Sequence, residues 1–432
     1  MHLKKSHRWL ICVAILLIGG IAIALGLTLH PMAPSTSHDD PFLTNPEAIE
    51  YVKKSKLMVL VPSSEKTIFQ QISDTYGKSA TCLPEFDGSK QVEEAQTACS
   101  ADSNIVAVNI GEFPSSNLSY LSPYSQLALD HNYILSLVNE PENLLPSFVG
   151  WHLNEADSCM LGICSHALLE ELLKQVPEFY SDFRNVTGGE TIAEIVKYYQ
   201  LASSNHNGML HCTAKYFGDA PTDLDKKFFN DVKGNITMSY ETTVIGLFFT
   251  PRTFGARLRL SSEQLKLWGG DNENKKAVLK ENKEVGHSPS KDHSHGSASG
   301  ASIQSKDSEY SDANSSVAKF QTKHMKSARY FPNCQASLAY LTANASDEPD
   351  FQPVTGPGRK AHMTLGVAPG VSAVTTGYDL LDIVELEAER KDWPTYPCSR
   401  GWLRDYGEGR WVLYMRNSIT VDGLFAGVYN FL

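Results

Sequence analysis

Lys56-Leu-Met-Val-Leu-Val61 is a short apolar run that Pro62-Ser63-Ser64 stops, after which Ile68, Phe69, Ile72 and Tyr76 recur at helical spacing. The pattern predicts strand, turn, helix. A second helix is expected over Lys90 to Ala98. It leads into Asn104-Ile-Val-Ala-Val-Asn-Ile110, a β-branched run of the kind that parallel sheets bury on both faces. Strands alternating with helices predict an α/β domain.

Farther along, Leu168, Leu169, Leu172, Leu173 and Val176 trace one helical face, Ile192, Ile195, Val196 and Tyr199 a second, and Phe228, Phe229 and Val232 a third. Thr242 to Thr250 reads as a buried strand. Ser261 to Trp268 is a short helix opened by a capping box from Ser261 to Gln264. A helix over Tyr378 to Lys391 and a strand over Arg410 to Arg416 follow, and the apolar Tyr429-Asn-Phe-Leu432 predicts a packed carboxyl end.

Trp9 to Leu29 contains no charge and is long enough for a helix to cross a bilayer, with Lys4, Lys5 and Arg8 before it. The expectation is a type II single-pass membrane protein, exposed at the cell surface or in the lumen of the secretory pathway. Its organisation would be a cytosolic tail (1–8), an anchor in the lipid bilayer (9–29), a stalk (30–45), an α/β ectodomain in two lobes (46–269 and 319–432) and a disordered insertion (270–318). The insertion is rich in Lys, Asn, Ser, His, Asp and Gly and holds almost no large apolar residue, so it cannot offset the entropy of ordering.

Beyond the anchor the chain carries 35 basic and 49 acidic residues. That balance argues against nucleic acid as a partner and against a peripheral hold on anionic lipid. An exported chain would oxidise its cysteines. Cys82 with Cys99, Cys159 with Cys164, and Cys334 with Cys398 are the candidate bridges, leaving Cys212 unmatched and open to an intermolecular disulfide. The sequons at Asn117, Asn185, Asn235, Asn314 and Asn344 are candidate glycosylation sites.

The chain has no GxxxxGK[ST], HExxH or GxSxG motif and no GxGxxG after a strand. Ser63-Ser64 follows a strand and opens a helix, and Thr187-Gly188-Gly189-Glu190-Thr191 is read as opening another, so amides at both could meet an anion. Thr355-Gly-Pro-Gly-Arg359-Lys360 adds backbone donors and two cations. Asp223-Leu-Asp225 is a D-x-D, which could bind Mn or Mg or could cap a helix. His287, His293 and His295 lie in the insertion, and Cys212 stands beside His211.

The order strand, Ser-Ser turn, helix, helix, strand, followed by Gln126-Leu-Ala-Leu-Asp-His-Asn-Tyr-Ile-Leu-Ser-Leu-Val138, resembles the first lobe of phosphate-type periplasmic solute-binding proteins. The resemblance implies a type II binding-protein fold, with Tyr133 to Asn139 as the crossover out of the first lobe. It further implies a small anionic ligand held by Ser63, Ser64, Thr187, Gly188 and Gly189, with Arg359 and Lys360, and no cofactor or enzymatic activity. Two alternatives stand beside it. One is a luminal glycosyltransferase-like enzyme using a nucleotide sugar, with a metal at Asp223 and Asp225. The other is a surface interaction protein with no small ligand.

Overall fold

The run at 57–61 becomes β1 (Leu57–Val61), and every one of its residues is buried. The computed structural model describes residues 40–85, 88–113, 118–141, 144–201, 209–218, 221–270, 353–389, 392–429 and 431. β1 pairs in parallel with β3 (Ile105–Asn109) and β4 (Ile134–Leu137), and β2 (Ala80–Leu83) pairs with the far edge of β3. The order is β2-β3-β1-β4.

Helices α1 (Pro46–Val52) and α2 (Lys66–Tyr76) cover one face of this sheet with Tyr51, Val52, Ile68 and Ile72. On the opposite face, α3 (Gly88–Ser100) and α4 (Ser122–Asp130) contribute Ala95, Ala98, Tyr124 and Leu127. Each large side chain so buried is worth about 1.5–3 kcal/mol. The carboxyl end joins this second face through Tyr429 and Phe431.

Among the described residues the second sheet has nine strands, all antiparallel: β5 (Phe148–His152), β6 (Gln200–Leu201), β7 (His211–Tyr216), β8 (Ser239–Phe249), β9 (Thr253–Arg259), β10 (His362–Val367), β11 (Thr395–Cys398), β12 (Gly401–Asp405) and β13 (Trp411–Val428). β13 is long enough to carry β12 and then β5 along one edge while β8 occupies the other. From β8 the sheet runs through β9 to β10, and from β5 it runs to β7. The same apolar cluster lies under β7 and β10, and it is completed by α5 (Glu155–Gln175), α6 (Pro177–Thr187) and α7 (Ile192–Tyr198). α8 (Asp223–Val232) adds Phe229 and Val232. The capping box of α9 (Ser262–Lys266) forms from Ser261 and Gln264, and α10 (Thr375–Glu389) packs on β9 and β10.

Several expectations are corrected here. Tyr133 to Asn139 is no crossover, because β4 closes the edge of the parallel sheet beside β1. Thr187 ends α6 instead of opening a helix: Gly188 takes the left-handed conformation at its C-cap, φ +68°, and Thr191 caps the helix that follows. Phe42, inside the segment read as stalk, is fully buried, so the fold already includes residues from Asp40 onward.

No disulfide forms among the described cysteines. Cys82 and Cys99 lie on opposite faces of the parallel sheet. Cys159 and Cys164 are five residues apart on one helix and point away from each other, and Cys334 is outside the described residues.

Among the described residues no helix is long and apolar enough to cross a membrane. The segment 9–29 lies outside the described residues, as do 271–352, Asn117, Asn314, Asn344 and the three insertion histidines. The expected picture of a disulfide-bonded, membrane-anchored secretory glycoprotein therefore finds no support in the fold. It is withdrawn, and with it the cell-surface placement.

Candidate catalytic site

Two of the fourteen histidines are followed at the second position by threonine: His211-Cys-Thr213 and His362-Met-Thr364. Each triplet opens a strand, and side chains alternate across a strand. Cys212, Ala214, Met363 and Leu365 therefore enter the shared core, while His211, Thr213, His362 and Thr364 take the opposite face and are only half-buried. β10 pairs with β9 along one edge and with β6 only at Gly366 and Val367, which leaves β7 to lie against the remaining edge. The backbone N–H of His362 lies beside the Cys212 thiol. Burial pushes that thiol up to about 12, so it stays protonated and is no nucleophile.

His211 rests on aromatic rings. Its imidazole stacks on Phe148 at 4.9 Å and on His152 at 5.3 Å, with interplanar angles of 23° and 22°. Phe148 and His152 flank Gly150 on the same face of β5. A Cβ on Gly150 would lie 2.2 Å from the carbonyl oxygen of Cys212, so only glycine lets β5 and β7 come this close. His362 is held differently. Its Nδ1 lies 2.8 Å from the Lys360 carbonyl oxygen, which places the proton on Nδ1 and the lone pair on Nε2. Burial, with a smaller contribution from the Lys360 charge, pushes this imidazole down to about 4. Gly377 of α10 packs against the same ring.

The residues expected from the sequence to hold an anion fall into three places. Ser63 sits at the end of β1, its N–H donated to the Gly111 carbonyl and its hydroxyl between Glu85 and Asn109, 2.9 Å from each. With a carboxylate on the hydroxyl and a carbonyl on the amide, this turn is no anion cradle, and Ser64 lies in the same three-residue turn. Thr187 donates to Phe183 O at 2.7 Å and accepts from Gly189 N at 3.1 Å, so the loop of Gly188 and Gly189 closes on itself. Lys360 alone belongs to the histidine site; it is buried two residues before His362, whereas Arg359 is exposed.

Asp223 and Asp225 open α8. Thr222 and Asp225 form a capping box, and Asp225 also pairs with Lys215 of β7 at 3.1 Å. Among the described residues no group of three His, Cys, Asp or Glu side chains is placed to hold a metal ion. Asn185 is exposed on α6, while the amide of Asn235 is engaged by Tyr240 and the Val232 carbonyl. Sequence reasoning passed over both His-x-Thr triplets. The available signal was the repetition of His-x-Thr with Cys, Ala, Met and Leu at the alternating positions.

Fold and site together define an α/β protein whose paired His-x-Thr strands stand side by side at one edge of an antiparallel sheet. A model of the CNPase family, 2',3'-cyclic nucleotide 3'-phosphodiesterase, matches residues 145–287 and 276–431, two segments that include both triplets. The chain belongs to the CNPase family. Its relatives include the 2',3'-cyclic-nucleotide 3'-phosphodiesterase of Pongo abelii, 26% identical over 291 residues that make up 67% of this chain and 51% of that protein. The proteins of the same name from Mus musculus and Rattus norvegicus are each 23% identical over the same shares. The chain thus spans about half the length of the curated relatives it matches.

Membership overturns the solute-binding resemblance, and with it the reading of a non-enzymatic anion-binding domain; the glycosyltransferase and adhesion alternatives fall as well. The exclusion of nucleic acid also falls, because the relatives are named for a nucleotide. Net charge describes the whole surface, whereas recognition of one phosphate depends on a few local donors.

Proposed function

We propose that this chain hydrolyses a 2',3'-cyclic phosphate on a ribose, opening the 3' ester bond, as the names of its relatives describe for them. The observation that carries the reading is the pair of His-x-Thr triplets on neighbouring strands.

Each triplet offers an imidazole to move a proton and a hydroxyl to donate to a phosphate oxygen. His362, neutral and with its lone pair on Nε2, takes the proton from the attacking water. The water oxygen bonds to phosphorus as the bond from phosphorus to O3' breaks, and His211 in its protonated form gives its proton to O3'. Thr213 and Thr364 bind the non-bridging oxygens, where charge is spread in the transition state, and Lys360 supplies a nearby positive charge. The product is a 2'-phosphate with a free 3'-hydroxyl. Proton exchange with solvent then resets both histidines.

The test is hydrolysis of 2',3'-cyclic AMP by the full chain, with products resolved by phosphorus NMR. A 2'-phosphate is expected, and His211→Ala or His362→Ala should each lower kcat by about 10²–10⁴. Absence of turnover across several 2',3'-cyclic nucleotides, or activity that survives both substitutions, would sink the proposal.

A further inference from the structure

β12 presents an exposed ring among arginines. Trp402 is 38% exposed, and the Arg416 guanidinium lies over its indole at 5.6 Å. Arg416 donates its backbone N–H to the Arg400 carbonyl at 2.8 Å, and the half-buried Arg404 lies over the Tyr414 ring at 5.2 Å. The three rows at this edge of the sheet pair Arg400 with Arg416, Trp402 with Tyr414 and Arg404 with Val412, so they carry three guanidinium groups and no carboxylate. Among the described residues none of the three arginines has an ion-pair partner, and the Arg400 Nε has no hydrogen-bond partner. In a chain of net charge −11 this cluster runs against the overall balance. It also shares a row with the site. Along the register His362 pairs with Arg257, Arg257 with Gly246, Gly246 with Tyr414 and Tyr414 with Trp402, so His362 and Trp402 stand on one face of the sheet. Four strand spacings separate them, or about 19 Å. α10 covers the middle of the row, where its Glu387 binds Arg257 and Tyr414, and Trp402 lies beyond it.

We propose that Trp402, Arg400, Arg404 and Arg416 form a docking surface for single-stranded nucleic acid, upstream of a 3' end held at the histidines. The link to the histidines rests on the hydrolase reading; the docking surface itself does not. A base stacks on the indole while the guanidinium groups meet the phosphates on either side, an arrangement that accepts any base. At about 3.4 Å per stacked nucleotide, about six nucleotides cover the span, so a mononucleotide at His362 does not reach Trp402. The exposed Glu385 and Glu389 of α10 repel phosphates, which keeps the strand beside the helix and not on it. An anionic bilayer is the poorer match. Lipid surfaces are met by clusters of about four to eight cations, and the acidic balance of the whole chain opposes its approach to a charged plane. An oligonucleotide meets only the local cluster, because charges beyond about 8–10 Å are screened.

Fluorescence anisotropy of a fluorescein-labelled oligouridylate of about twelve nucleotides, without a cyclic phosphate, measures docking by the full chain. Affinity should fall with salt along a log–log slope of about −2, as for three phosphate contacts on a single strand, and Arg416→Ala should make that slope shallower by about 0.7. Trp402→Ala should weaken binding about tenfold, and Trp402→Phe should restore most of it, which a loss of fold would not do. On an oligouridylate ending in a 2',3'-cyclic phosphate, Trp402→Ala should raise KM about tenfold with kcat nearly unchanged, while both constants on 2',3'-cyclic AMP stay those of the unsubstituted chain.

Equal affinity in Trp402→Ala, Arg416→Ala and the unsubstituted chain, or no binding even at low salt, would overturn the proposal. Sedimentation with phosphatidylserine vesicles that depends on the same residues, without oligonucleotide binding, would overturn it too and assign the surface to a membrane. Should the chain bind the oligonucleotide through Trp402 and Arg416 but hydrolyse no cyclic phosphate, the hydrolase reading falls and the docking surface stands.

Discussion

The thiol of Cys212 lies beside the backbone N–H of His362, so the middle residue of one His-x-Thr triplet packs against the first residue of the other. The two strands share no ladder of backbone pairs, and this contact, with the Cys212, Ala214, Met363 and Leu365 side chains beneath it, sets their spacing. Cys212→Ala should destabilise the chain by about 1–2 kcal/mol, read as a lower urea midpoint. It should also lower kcat on 2',3'-cyclic AMP more than it raises KM. Unchanged kinetics would show that the strand spacing does not depend on this contact.

Gly150 is the closest approach between β5 and β7. The atoms that an added Cβ would meet are the Cys212 carbonyl oxygen at 2.2 Å and the Thr213 Cα at 3.0 Å, both backbone. Neither can rotate away. Gly150→Ala should therefore cost about 3 kcal/mol and pull Thr213 out of line. Chemical denaturation gives the first quantity and the KM for the cyclic nucleotide the second.

At Gly377 stability and activity should part. Alanine in place of a glycine in this helix favours the helix by up to about 1 kcal/mol. Its Cβ would, however, stand 3.0 Å from Cε1 of His362, against ordinary contact beyond 3.4 Å, so the ring must tilt. Gly377→Ala is expected to melt at or above the temperature of the unsubstituted chain while losing kcat. A variant that melts higher and keeps full kcat would show that His362 tolerates the displacement.

Acid should weaken the fold through its buried histidines. Burial holds His166 below its ordinary value of 6.5, as it does His152 and His362. As pH falls below about 6.5 the unfolded chain takes protons that the folded chain refuses, so their contribution to stability is lost on the acid side. Asp157, Asp422 and Glu140, raised by burial, act in the opposite sense, so the cleanest reading is a difference between two chains. Between pH 7 and pH 5 the urea midpoint should fall further for the unsubstituted chain than for His166→Met. Equal slopes would show that His166 is protonated in the fold.

The parallel sheet is legible in the sequence. β1 and β3 are continuous apolar runs, and α2, α3 and α10 carry helical spacing over three turns or more, so local pattern alone places them within a few residues. The antiparallel strands of the site were not. His211-Cys-Thr-Ala-Lys215 and His362-Met-Thr-Leu365 alternate polar and apolar residues over only four or five positions, too short to stand out beside the long helical patterns. Capping chemistry misled in the other direction at Thr187. Its hydroxyl and the two glycines suit a helix start, yet they close α6 because Gly188 can take positive φ.

By itself, the sequence determined which segments are helix or strand wherever apolar periodicity runs long enough, because that signal depends only on which face must leave water. It also held the repeated His-x-Thr, as two triplets about 150 residues apart with nothing local to join them. Only the tertiary structure made them one site. The pairing of β5 with β13 and β7, and of β9 with β8 and β10, brings the two strands together over one apolar core. Burial then keeps the His362 imidazole neutral, and burial belongs to the packed environment of a residue and not to its place in the chain.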